Sequence, residues 1–168
     1  MIDGAATAQA APNDLSLAWV REDVLKALGH RQYVPFTVSI DPSKLSGGNA
    51  TIYWRVVAKT PAAPPAAAPA NTRNTPHDRK APGKAAYAFE DLRSVSVPAR
   101  QGPFAISRSF TVGAGAYDVW VVVKDPAPQR PQRNAPAPKV SLIKQAVEVP
   151  DLWNGELNTS SMFVTCLQ

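Results

Sequence analysis

The strongest constraint on this chain is the run Gly-Ala-Tyr-Asp-Val-Trp-Val-Val-Val-Lys-Asp at residues 115–125. Tyr117, Val119, Val121 and Val123 fall on one side of an extended chain, and Asp118, Trp120, Val122 and Lys124 on the other. β-Branched and aromatic residues at a period of two read as a strand. The second side is still partly apolar, as expected of a central strand. Gly113 and Gly115 supply a tight bend in front of it, and Lys124-Asp125 a charged stop.

Weaker runs obey the same period. In residues 33–40, Val34, Phe36, Val38 and Ile40 alternate with Pro35, Thr37 and Ser39. Proline cannot donate to a ladder, so Pro35 predicts a strand that begins at a sheet edge or a bulge. In residues 51–59, Ile52, Trp54, Val56 and Ala58 share a side opposite Tyr53, Arg55 and Lys59, the pattern of a sheet with one dry and one wet face. Leu15, Leu17 and Trp19 hint at a first edge strand. Val24, Leu25 and Leu28 have helical spacing before Gly29, which admits either a turn of helix or a loop. Leu92, Val95 and Val97 form one short strand, and Phe104, Ile106, Phe110 and Val112 another. Arg108 interrupts that second run, through either a bulge or a rim position with its stem packed and its head in water. Val140 and Leu142 fall on one phase and Ile143, Val147 and Val149 on the other, which predicts a bulge near Ile143. Asn154-Gly155 marks a turn, and residues 156–167 read as a last strand with Met162, Val164 and Cys166 on one side.

Seven or eight short strands with turn signals between them, and no strand–helix alternation, predict an all-β antiparallel sandwich. The organisation expected is a flexible leader at 1–14 and one domain at 15–168. Two long Pro-rich loops leave that domain, a disordered one at 60–85 and a shorter one at 126–138. The 17 prolines, about twice ordinary usage, fall mostly between the apolar runs. The residues before the first loop hold only two good strands, too few for a separate core.

The loops also carry the charge. Arg73, Arg79, Lys80 and Lys84 against Asp78 make the first basic, and residues 126–139, the second loop with the residue that follows it, carry Arg130, Arg133 and Lys139. Together they account for more than the formal excess of +5, so the folded body is close to neutral. Basic loops containing Arg79 and Arg130 would attract an anionic polymer. Neither interleaves aromatics with its charges, so nucleic acid is not expected.

Tyr117 and the strand after it resemble the penultimate strand of immunoglobulin-like sandwiches, including fibronectin type III, cadherin-like and polycystic-kidney-disease repeats. The resemblance implies a tyrosine corner, in which the Tyr117 hydroxyl bonds to backbone a few residues upstream. Trp54 is similar to the buried tryptophan of such folds. The two-cysteine signature of antibody domains is missing, since Cys166 is the only cysteine. The segment Val149-Pro150-Asp151, with Gly155-Glu156-Leu157 and Ser160-Ser161, resembles the accessory regions of bacterial exported proteins related to von Willebrand factor type A. That implies an accessory module without the adhesion domain.

Catalytic signatures are absent from the sequence. His30 and His77 are far apart, His77 lies in the first Pro-rich loop, and Cys166 alone does not complete a zinc set. No Asp-x-Asp-x-Asp run suggests calcium, and no Gly-x-Ser-x-Gly a hydrolase. The expectation is therefore a non-enzymatic module with no metal and no cofactor. Its partner is expected to be another protein, with carbohydrate as the alternative. Tyr53, Trp120 and Trp153 are the candidate contact aromatics. Ala8-Gln9-Ala10 in an alanine-rich start resembles the end of an export signal and predicts a periplasmic or secreted location. No apolar stretch is long enough to span a bilayer as a helix.

Overall fold

A computed structural model of the chain describes residues 11–59, 87–126, 138–156 and 160–161. Eight strands follow in order among them: β1 (Ala18–Glu22), β2 (Leu25–Ala27), β3 (Arg31–Ile40), β4 (Asn49–Ala58), β5 (Phe89–Ser96), β6 (Phe104–Val112), β7 (Gly115–Lys124) and β8 (Val140–Val149). They form two antiparallel sheets. In the first, β4 and β7 are central and β5 and β8 are the edges, in the order β5-β4-β7-β8. In the second, β3 pairs with β6 on one side and with β1 and β2 in succession on the other. The fold is an all-β sandwich.

The core is the alternation of the sequence made solid. Val34, Phe36, Val38 and Ile40 of β3, with Ile106, Phe110 and Val112 of β6, face Ile52, Trp54 and Val56 of β4 and Tyr117, Val119, Val121 and Val123 of β7. Trp54 crosses the gap. Its ring meets Phe36 edge-on at 6.2 Å and stacks on Phe89 at 6.3 Å, and its Nε1 donates to the Ser109 carbonyl of the opposite sheet at 3.2 Å. The Tyr117 hydroxyl donates to the Gly113 carbonyl at 3.0 Å. Gly115 between them has φ +149°, which an L side chain rarely adopts, so the fold-back of the ring over the bend needs glycine there.

Several local expectations are corrected. Pro35 stands in β3, a central strand with no bulge opposite β6. It is tolerated because the neighbour on its other side is interrupted there: β1 stops at Glu22, opposite Phe36, and β2 starts at Leu25, opposite Tyr33. The Asp23 amide donates to the Pro35 carbonyl at 2.9 Å, and no ladder bond is asked of the ring nitrogen. The segment with helical spacing is the short strand β2. No bulge interrupts β8, whose register with β7 runs unbroken from Lys124↔Val140 to Gly115↔Val149. The apparent phase change arises because Ser141 takes an inward position, where its Oγ accepts from the Leu15 amide at 2.7 Å, while Leu142 is buried on the outer face. Arg108 occupies the rim position, half-buried on the inner side of β6 with continuous register and no bulge. The last strand expected at 156–167 lies almost entirely outside the described residues, as does Cys166.

Residues 12–14 run along the outer edge of β8. The Leu142 amide donates to the Pro12 carbonyl at 2.8 Å, Asn13 bridges Ser141, and the Val140 amide donates to Asp14 Oδ2 at 3.0 Å. The chain then crosses to the other sheet through buried Leu15 and Leu17.

The β6 edge is closed differently. Carbonyls of alternate residues point away from the ladder with β3, and three of them accept from side chains: Ser107 from Arg108 Nη1, Ser109 from Trp54 Nε1 and Thr111 from Arg31 Nη2. On β5, the Leu92 amide is taken by Asp91 Oδ1 at 2.7 Å. An exposed edge is a template for another strand, and these side chains occupy it.

Two outcomes are expected. Tyr117→Phe removes one hydrogen bond of the corner and should cost about 1 kcal/mol in chemical unfolding. Burial raises the Tyr117 phenol above its ordinary value. The unfolded chain then loses its phenolic proton first, so the Tyr117 contribution should be complete below about pH 10 and lost as pH rises further. A flatter alkaline limb in Tyr117→Phe than in the parent, by thermal melts from pH 8 to 11, checks this. Separately, the double variant Arg31→Ala/Arg108→Ala uncaps two edge carbonyls, and sedimentation velocity should show more concentration-dependent self-association than the parent.

Candidate contact face

Residues paired across an antiparallel sheet share a face, so the register fixes what lies on the outer side of β5-β4-β7-β8. One row reads Leu92, Tyr53, Val122, Leu142, and the next Glu90, Arg55, Trp120, Lys144. Tyr53 and Trp120 are therefore diagonal neighbours on adjacent central strands. Both lie on the phase opposite the core residues of their strands.

Around these two aromatics the face is held by charge. The Tyr53 hydroxyl donates to Glu90 Oε2 at 3.1 Å, and partial burial, then that carboxylate, raise its pKa above the ordinary phenol value. The Arg55 guanidinium, buried beside Trp120, lies 4.4 Å from the Tyr87 ring centre and donates through Nη1 to the Tyr87 hydroxyl at 2.7 Å. Lys144 Nζ sits 5.2 Å from the Trp120 ring centre and 2.8 Å from Asp118 Oδ2. Lys59 approaches the other oxygen of Asp118 at 3.6 Å. The two lysines paired with Asp118 are largely in water, so those pairs contribute little to stability. Their consequence is positional, because they hold long side chains flat around the aromatics.

Trp120 is half-buried, with Arg55 and Lys144 as its cross-strand neighbours. The indoles of Trp19, Trp54 and Trp153 all donate within the chain. That of Trp120 has no hydrogen-bond partner among the described residues.

Trp153 does not join this face. Its Nε1 donates to the Arg31 carbonyl at 3.0 Å, its ring tilts against His30 at 5.3 Å, and Lys26 Nζ lies 5.4 Å from it. It braces the β2–β3 turn, where Gly29 and His30 both have positive φ. His30 is thus an exposed turn residue whose ring rests against Trp153. Arg79 and Arg130 lie outside the described residues, as does His77. The strand ends flanking their two loops are at opposite ends of the sheet, because Ala58 pairs with Tyr117 while Lys124 pairs with Thr51.

No family model, curated protein or solved structure matches this chain. Its chemistry has to be read from its own surface. Among the described residues, no three His, Cys, Asp or Glu side chains are grouped to hold a metal ion. None of the described helices is long and apolar enough to cross a membrane.

Sequence reasoning missed two members of the face. Leu92 belongs to the same apolar run as the core-facing Val95 and Val97, yet it points outward and is 58% exposed. The signal was present, since Leu92 lies on the opposite phase from both valines. Lys144 was missed because its role depends on register with Trp120, which the expected bulge would have shifted.

Glu90→Gln should bring the Tyr53 ionisation down toward that of free tyrosine, with burial holding it still above. Tyrosine-resolved NMR titration reads this directly.

Proposed function

We propose that this chain is a non-catalytic, immunoglobulin-like module of an exported protein, and that it binds a partner protein through the outer face of β5-β4-β7-β8. The exposure of Leu92 directly across from Tyr53, which in turn is diagonal to Trp120, carries the reading. Large apolar side chains grouped on one rigid sheet, bordered by Lys144 and Glu90, have the make-up of a protein contact: aromatic and apolar anchors beside a polar rim. The β-ladders on both sides of β4 and β7 hold these anchors without loop ordering, which lowers the entropic cost of association.

The immunoglobulin-like assignment is supported by the Tyr117–Gly113 bond, the buried Trp54 and the separation of β3 and β6 from β4, β7 and β8 into facing sheets. Export rests on the Ala8-Gln9-Ala10 segment, which lies outside the described residues.

The test is a crosslinking pull-down from native envelope extract with the parent chain and with Leu92→Ser/Trp120→Ala, both checked for fold by circular dichroism. One protein captured by the parent and reduced at least about tenfold by the double variant is the expected result. Equal capture by both would move the contact off this face. Capture of a polysaccharide in place of a protein, lost with Trp120→Ala, would replace the reading with glycan binding. Turnover of a substrate that a point mutation abolishes would overturn the non-catalytic assignment.

A further inference from the structure

The inner side of β5 is not all core. Its residues paired with Val56, Trp54, Ile52 and Ala50 are Phe89, Asp91, Arg93 and Val95, so two charges face inward on an edge strand. On the facing edge, Arg108 holds the inward position between Ile106 and Phe110. The sheets part where these strands meet, and a lateral groove of about 520 Å³ opens there, lined by Phe89, Trp54, Asp91, Arg93 and Arg108, with Ser94 and Ser109 also lining it.

The charges in the groove are unequally matched. Arg93 grips Asp91 Oδ2 through Nε and Nη2, both at 3.1 Å, and Asp91 Oδ1 is taken by the Leu92 amide. Both oxygens of Asp91 are therefore committed. Arg108 spends Nη1 on the Ser107 carbonyl, and no carboxylate lies within ion-pair distance of it among the described residues. A half-buried guanidinium with no counter-charge, against an aromatic wall, is a complement for a carboxylate.

What bears the carboxylate follows from the edges. A peptide adding as a strand bonds to main-chain groups, and here it would compete with the side chains already bonded to the Ser107, Ser109 and Thr111 carbonyls and the Leu92 amide. A compact ligand that uses a ring face, hydroxyls and one carboxylate makes no such demand. We propose that the lateral groove between β5 and β6 is a binding site for a hexuronate unit of an acidic saccharide. Arg108 pairs with the carboxylate, Phe89 packs against the ring, and the ring hydroxyls face the rim, where Ser94, Ser107 and Ser109 line the opening. The site is separate from the outer contact face and does not depend on it.

The test is NMR titration of the full chain with D-glucuronate, with glucose, sodium acetate and tetraglutamate as comparisons. Glucuronate should shift the resonances of Phe89, Arg93, Ser107 and Arg108, with glucose and acetate at least about tenfold weaker. Arg108→Gln, which keeps a donor for the Ser107 carbonyl, should weaken glucuronate about tenfold or more. Asp91→Asn frees Arg93 and should strengthen it, which keeps the test decisive if the arginine variant folds poorly. Acetate as effective as glucuronate, tetraglutamate more effective, or no shift in the groove would each overturn the proposal. So would an Asp91→Asn variant that binds no better than the parent.

Discussion

The indole of Trp54 is where the two sheets become one molecule. Its ring fills the space between Phe36 and Phe89, and its N–H ends on a carbonyl of the opposite sheet. A buried tryptophan must satisfy its one donor, and here it does so on a main-chain carbonyl of the edge strand β6. One side chain therefore sets the spacing of the sheets, closes part of an edge and forms a wall of the lateral groove. Truncation to alanine would remove all three at once, at about 3–5 kcal/mol for the packing alone.

The parts of the fold legible in sequence are those governed by local alternation. β7 was readable because four of its residues fill the core while Trp120 and Val122 still need partial cover. Tyr117 was readable because its corner lies within four residues of its partner, Gly113. What could not be read depends on partners far away in the chain. Pro35 looked like an edge residue because nothing local shows that β1 ends and β2 begins opposite it. Ser141 looked like an interruption of β8 because the amide that justifies its inward position belongs to Leu15, 126 residues earlier. The contact face was half-visible for the same reason: phase alone shows that Tyr53 and Trp120 share a side, but only register shows that Lys144 and Arg55 flank the indole.

The two faces of β5 illustrate how an edge strand is used. Outward it offers Leu92, an apolar side chain in water, and inward it holds Asp91 and Arg93 where a central strand would carry valine. Inward charges on edge strands discourage pairing with other chains, at the cost of a less complete core beneath them. The groove at Arg108 lies where that cost falls. Protection of the edge and a site for a charged ligand are thus products of the same substitution of charge for bulk.

The attachment of residues 12–14 to β8 has a mechanical consequence. A pull applied from the N-terminal side and directed away from the sheet loads the Pro12–Leu142 bond first, then the bridge at Ser141, then the contacts of Asp14, so they fail one after another. A pull along β8 loads its whole ladder with β7 in shear, and those ten pairs must give way together. The module is therefore soft in one direction and stiff in the other. Peeling the short segment would expose the upper edge of β8 while Leu15 and Leu17 still hold the sandwich closed, so tension could bare a strand edge without unfolding the domain.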